Sequence, residues 1–167
     1  AKQVAQIENL ISKKVDVLVI VPKDQSTLTN VLKEAKKAGI KVVSYDRLIK
    51  SPDVDVYISF DNYRVGQMQG AALMKALPKG SIYVMSGDPG DNNAKLFKAG
   101  ALSEIDPFVK KGDIKILGEQ AVKDWLPANA LSIAENVLTQ FNNKIDGFLG
   151  PNDGTAGGII QALAGQK

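Results

Sequence analysis

Five short apolar runs punctuate this chain, and each one ends against polar residues. The first two are Val15–Val21, followed by Pro22, and Ile40–Ser44, followed by Tyr45, Asp46 and Arg47. Val56–Phe60 comes next, followed by Asp61 and Asn62. The last two are Ile82–Met85, closed by Ser86, Gly87 and Asp88, and Ile145–Leu149, followed by Pro151, Asn152 and Asp153. Runs this short and rich in β-branched residues, separated by helical segments, read as buried parallel strands. An open parallel sheet binds ligands in the crevice beyond the carboxyl ends of its strands. The pattern therefore sets carboxylates, amides and one arginine along the edge where a ligand would sit. Those groups suit a small, neutral, hydroxyl-rich molecule.

Between the runs, apolar residues recur at helical spacing. They do so at Val4, Ile7, Leu10 and Ile11, and from about Ser26 through Leu28, Val31, Leu32 and Ala35. Gly39 stands where a left-handed C-cap belongs. Further helices carry Val65, Met68, Ala72 and Leu73, then Leu96, Phe97 and Leu102, then Leu131, Ile133, Ala134, Val137 and Leu138. Pro127 suits the first turn of that third helix. A strand at Ile114–Leu117 and a glycine-containing last helix from about Asp153 complete the pattern. The chain opens and closes on helices that have no flanking strand, so both ends read as cut from a larger protein.

The chain has 167 residues, a net charge of +3 and scattered lysines. Nucleic acid is a poor partner for it, because phosphate binding needs a continuous basic stripe. Histidine and cysteine are both absent. That excludes the common general base, the Ser-His-Asp and Cys-His nucleophile systems, and ordinary zinc sites. No apolar run approaches the ~18 residues of a membrane span. Neither phosphate-binding glycine signature occurs, and Asp88, Asp91 and Asn92 lack the spacing and terminal glutamate of a calcium loop. The expectation is no metal, no cofactor and no catalysis.

Each candidate ligand residue also has a plain structural alternative. Asp46 and Arg47 can accept and donate to hydroxyls, or form a surface ion pair in a loop. Asp91, Asn92 and Asn93 open a helix, where one of them is expected to cap. Trp125 is the only tryptophan. It offers a flat face to the CH side of a sugar ring, or a hydrophobic staple to the helix behind it. Of Asn152 and Asp153, one caps the last helix and the other is left for a ligand. Their shared place at strand ends is what the plain alternatives do not predict.

At these residues the chain resembles a known family. Gln6–Ile11, Val15–Ile20, Tyr45–Arg47, Tyr57–Asn62, Asp91–Phe97, Trp125–Pro127 and Asn152–Asp153 are similar to the D-xylose-binding members of the ribose/galactose-type solute receptors, which serve ABC transporters. The resemblance spans essentially the whole chain. It implies an α/β, periplasmic-binding-protein-like (type I) fold with two doubly wound parallel-sheet lobes, incomplete in this chain. Residues 1–60 would be part of the first lobe and 61–167 most of the second. It further implies that Asp46, Arg47, Asn93, Trp125 and Asn152 bind the sugar. The partners it implies are D-xylose or a related pentose, and a membrane permease or sensor kinase. A complementing fragment or a second copy of the chain would fill what is missing. The location would be extracytoplasmic, as a periplasmic protein or a cell-surface lipoprotein whose leader is not in this chain. The alternative is the effector-binding core of a LacI-type regulator.

Overall fold

The computed structural model describes residues 2–166. The chain divides into two compact units, residues 1–60 with 90–92, and residues 61–89 with 93–167. In the first, helix α1 (Lys2–Ser12) precedes strand β1 (Val17–Ile20), helix α2 (Thr29–Lys37) and strands β2 (Lys41–Tyr45) and β3 (Val56–Ile58). The strands pair in parallel in the order β1-β2-β3, with Val19 opposite Val43 and Tyr45 opposite Ile58. Helix α2 starts at Thr29 rather than near Ser26. The Asp24 carboxylate accepts the Ser26 N–H at 2.8 Å and hydroxyl at 2.6 Å, which favours a turn over helix there. Gly39, at φ 76, ends α2 in a Schellman motif. Its N–H donates to the Lys36 carbonyl, and the Ile40 N–H donates to that of Ala35.

The first sheet corrects the expectation of strands buried on both faces. Leu18, Ile20 and Val42 pack with Ile7 of α1 and with Val31 and Leu32 of α2 in one core. Both helices therefore cover the same side. On strand positions of opposite parity, Val17, Val19, Tyr45 and Ile58 are exposed, and Phe60 just beyond β3 is 79% exposed. Apolar composition marks a strand as sheet-forming but cannot say which of its faces acquires a cover.

The second unit has the three-layer arrangement that the pattern predicts. Helix α3 (Asn62–Ala76) leads to β4 (Gly80–Ser86), α4 (Asn92–Lys110), β5 (Ile114–Ala121), a 3₁₀ turn (Lys123–Trp125), α5 (Pro127–Gln140), β6 (Gly147–Leu149) and α6 (Asp153–Ala164). The parallel order is β5-β4-β6. Central β4 buries four consecutive residues, Ile82 to Met85, because both its faces are covered. Ile82 and Val84 pack with Met74 of α3 and with Ala101 and Ile105 of α4. Tyr83 and Met85 pack with Ala134, Val137 and Leu138 of α5 and Ile159 of α6. Helices α3 and α4 approach through glycines. A Cβ on Gly66, Gly70 or Gly100 would run into the backbone carbonyls of Phe97, Ala101 or Tyr63 respectively.

Carboxylates tie the strand starts. Asp146 accepts the Ser81 N–H at 2.7 Å and its hydroxyl at 2.8 Å, joining the entry of β6 to β4. Asp55 accepts the Val42 N–H at 2.9 Å and the Lys41 ammonium at 3.1 Å. These donors hold both carboxyls below their ordinary range, with the backbone N–H as the leading cause in each case. A lowered native pKa contributes stability above the unfolded value, about 3.9 for aspartate, and that contribution is lost as pH falls through the lowered value. The thermal midpoint should therefore be level near neutrality and decline in the acid range. Asp146→Asn should flatten part of that decline in scanning calorimetry across pH. An acid limb parallel to the parent's would show that Asp146 does not contribute to it.

Candidate functional site

Asp46 follows β2 in the left-handed region, at φ 61. Its N–H donates to the Ile58 carbonyl at 2.8 Å, and its own carbonyl accepts the Ser59 hydroxyl at 2.6 Å. The backbone is thus fixed on both sides, and aspartate is among the residues that tolerate this conformation best. Asp46 lines a cleft of about 400 Å³ with Val21, Tyr45, Ile58, Ser59 and Phe60, beyond the carboxyl ends of β1, β2 and β3. That volume suits a small ligand, and apolar walls around a few polar groups are the usual composition of such sites.

Arg47 is positioned by a residue that sequence reasoning missed. Its Nε lies 2.9 Å from Oδ2 of Asp91, whose side chain is only 2% exposed. The segment Gly90–Asn92 groups with the first unit, and the Gln25 N–H donates to the Gly90 carbonyl at 3.1 Å. Buried Ser44 completes the loop, donating its hydroxyl to the Arg47 carbonyl at 2.6 Å and accepting the Ile49 N–H at 3.0 Å. In the sequence Asp91 offers itself as part of a helix opening or of an incomplete calcium loop, not as a partner for Arg47. No local signal links it to an arginine 44 positions earlier in the chain.

In the second unit the other three residues stand where neighbouring strands hand over to the next helical element: Asn93 in the first turn of α4, Trp125 at the end of the 3₁₀ turn and Asn152 at the N-cap of α6. Asn93 follows β4, Trp125 follows β5 and Asn152 follows β6, in a sheet ordered β5-β4-β6. Buried Asn93 accepts the Asn62 amide at 3.1 Å through its Oδ1, which turns its own NH₂ to the opposite side. Trp125 sits one residue before Leu126, the N-cap of α5. Its indole lies over Gly87, where a Cβ would overlap the ring, and meets Phe97 edge-on with centroids 6.3 Å apart. Asn152 caps α6, its Oδ1 accepting the Thr155 N–H at 2.9 Å. Of the Asn152–Asp153 pair it is Asn152 that caps, and capping uses its oxygen and leaves its NH₂ to donate. Gln69 of α3 donates to the Pro151 carbonyl at 2.8 Å and steadies that loop.

A second cleft, of about 240 Å³, opens past β4 and β5 between Ser86, Gly87, Ala94, Lys95 and Gln120, with a Lys98–Glu119 ion pair of 3.0 Å in its wall. Among the described residues, no group of three or more aspartates and glutamates is arranged to hold a metal ion.

A family model described as periplasmic binding protein domain matches residues 1–167. The chain belongs to the periplasmic binding protein family. Its fold is the family's type I fold, α/β with parallel sheets. Among curated members of the family, the D-xylose-binding periplasmic protein of Escherichia coli K12 is 55% identical over 164 residues, covering 98% of this chain and 50% of that protein. Its counterpart in Haemophilus influenzae is 50% identical, over 98% of this chain and 49% of that protein. A solved ABC-transporter solute-binding protein from Clostridium phytofermentans, with bound β-D-glucose, superimposes with a TM-score of 0.92 at 37% identity, covering 98% of this chain and 55% of that one. A carbohydrate-transporter solute-binding protein from Chloroflexus aurantiacus, in complex with D-glucose, gives 0.89 at 31% identity, over 98% and 56%. The chain thus spans about half the length of the relatives it matches.

Proposed function

We propose that this chain is part of an extracytoplasmic receptor that captures D-xylose, without chemistry, and delivers it to an ABC permease. The observation that carries the reading is the sequence match with two D-xylose-binding periplasmic proteins, at 55% and 50% identity over 98% of this chain. Asp46, Arg47, Asn93, Trp125 and Asn152 are the proposed sugar contacts. Their chemistry fits: a carboxylate accepts hydroxyls, a guanidinium and two amides donate to ring and hydroxyl oxygens, and an indole covers the apolar sugar face. Residues 1–60 are assigned to a first lobe and 61–167 to most of a second. The lack of histidine and cysteine accords with binding rather than turnover.

Solved relatives bind glucose, so the test must separate sugars. Thermal-shift and calorimetric titration of the full-length protein with D-xylose, D-ribose, D-glucose and D-allose should give the largest stabilisation with D-xylose, since at fixed concentration the stabilisation by a ligand rises with the logarithm of its affinity. A larger shift with any other sugar would reassign the ligand, and no response to the panel would overturn the reading.

A further inference from the structure

Two successive residues, Asp124 and Trp125, have left-handed φ values of 57° and 58°. Neither is glycine, and a pair of strained residues persists only where its surroundings impose it. The restraints are specific. Oδ2 of Asp88 accepts the Asp124 N–H at 2.6 Å, from 36 positions away. The Trp125 N–H donates to the Val122 carbonyl at 3.1 Å, and Asn129 of α5 holds the Lys123 carbonyl at 2.9 Å. Below the indole, Gly87 offers bare backbone where any Cβ would overlap the ring, and Phe97 meets the ring edge-on. The short segment Gly87-Asp88 thus touches both the ring and the backbone that aims it.

We propose that Gly87 and Asp88 are positioning residues for Trp125, with the Asp88 carboxylate locking the left-handed turn and Gly87 forming the floor on which the indole lies. This rests on the reading that Trp125 contacts the sugar, which it deepens by naming what presets the ring. A short hydrogen bond to an ionised acceptor is among the stronger ones. A ring already held in its binding pose loses less freedom when the ligand arrives.

The test separates ring placement from sugar affinity. Full-length protein labelled with 5-fluorotryptophan is followed by ¹⁹F NMR without sugar, the Trp125 resonance being assigned by its loss in Trp125→Phe. Asp88→Ala should move and broaden that resonance, whereas Asp88→Asn, which keeps an acceptor oxygen, should restore it. If Asp88→Ala does not fold, Gly87→Ala reads the same placement by displacing the ring. A resonance unchanged in these variants overturns the proposal. By calorimetry, Asp88→Ala should weaken D-xylose binding about tenfold, the effect of one lost charge-assisted hydrogen bond acting through the ring. In a Trp125→Ala background it should add nothing, and a full additional loss there would overturn the positioning role. Unchanged D-xylose affinity in Trp125→Ala alone would instead remove Trp125 from the sugar site, with the NMR result still deciding whether Asp88 and Gly87 hold the ring.

Discussion

Replacing Asp46 by alanine in the full-length protein should weaken D-xylose binding by about 30- to 900-fold, equivalent to ~2–4 kcal/mol for two hydrogen bonds to a charged acceptor. The loss is large because a backbone fixed by the Ile58 carbonyl and the Ser59 hydroxyl cannot shift to bring another acceptor into the cleft that Asp46 lines. Asp46→Asn controls for shape, since asparagine also tolerates a positive φ but can offer only one accepting oxygen. It should fall between the parent and the alanine variant. Calorimetry that finds unchanged affinity in both variants would take Asp46 out of the sugar site.

The largest stability effect should come from Gly100→Val. A Cβ there would run into the Tyr63 carbonyl oxygen across the α3–α4 contact, and backbone atoms cannot rotate aside as a side chain can. Forcing the helices apart would open the core that Ile82 and Val84 share with Met74 and Ala101. Overpacking at a backbone-to-backbone contact costs about 3 kcal/mol or more, a large part of the stability of a domain this size. Gly157→Ala is the matched control. It lies on α6 with nothing within 4 Å of the added methyl, so it should stabilise by about 0.5–1 kcal/mol through helix propensity and chain entropy. Urea denaturation of both variants measures the contrast. Equal midpoints would mean that the close helix approach is not required.

Sequence reading recovered what local physics controls. Short β-branched runs became parallel strands, Gly39 took the left-handed C-cap, and Pro127 took the first position of α5. The candidate residues stand between strand ends and the first turns of the elements that follow, because connectivity alone puts those segments there. The reading of buried strands failed at Val19, Ile58 and Phe60, because a strand's apolar character does not record which of its faces is covered. Asp91 beneath Arg47, Asn62 beneath Asn93 and Asp88 beneath the Trp125 turn were equally out of reach. Each is an interaction between groups that lie 31 to 44 positions apart, and no periodicity or spacing rule encodes such a pairing. The amino-acid sequence by itself determined the elements, their parallel pairing class and the residue types offered at the strand ends. Only the tertiary structure decided which side chains orient them, because a buried carboxylate or amide acquires its partner when distant segments pack and remove both from water.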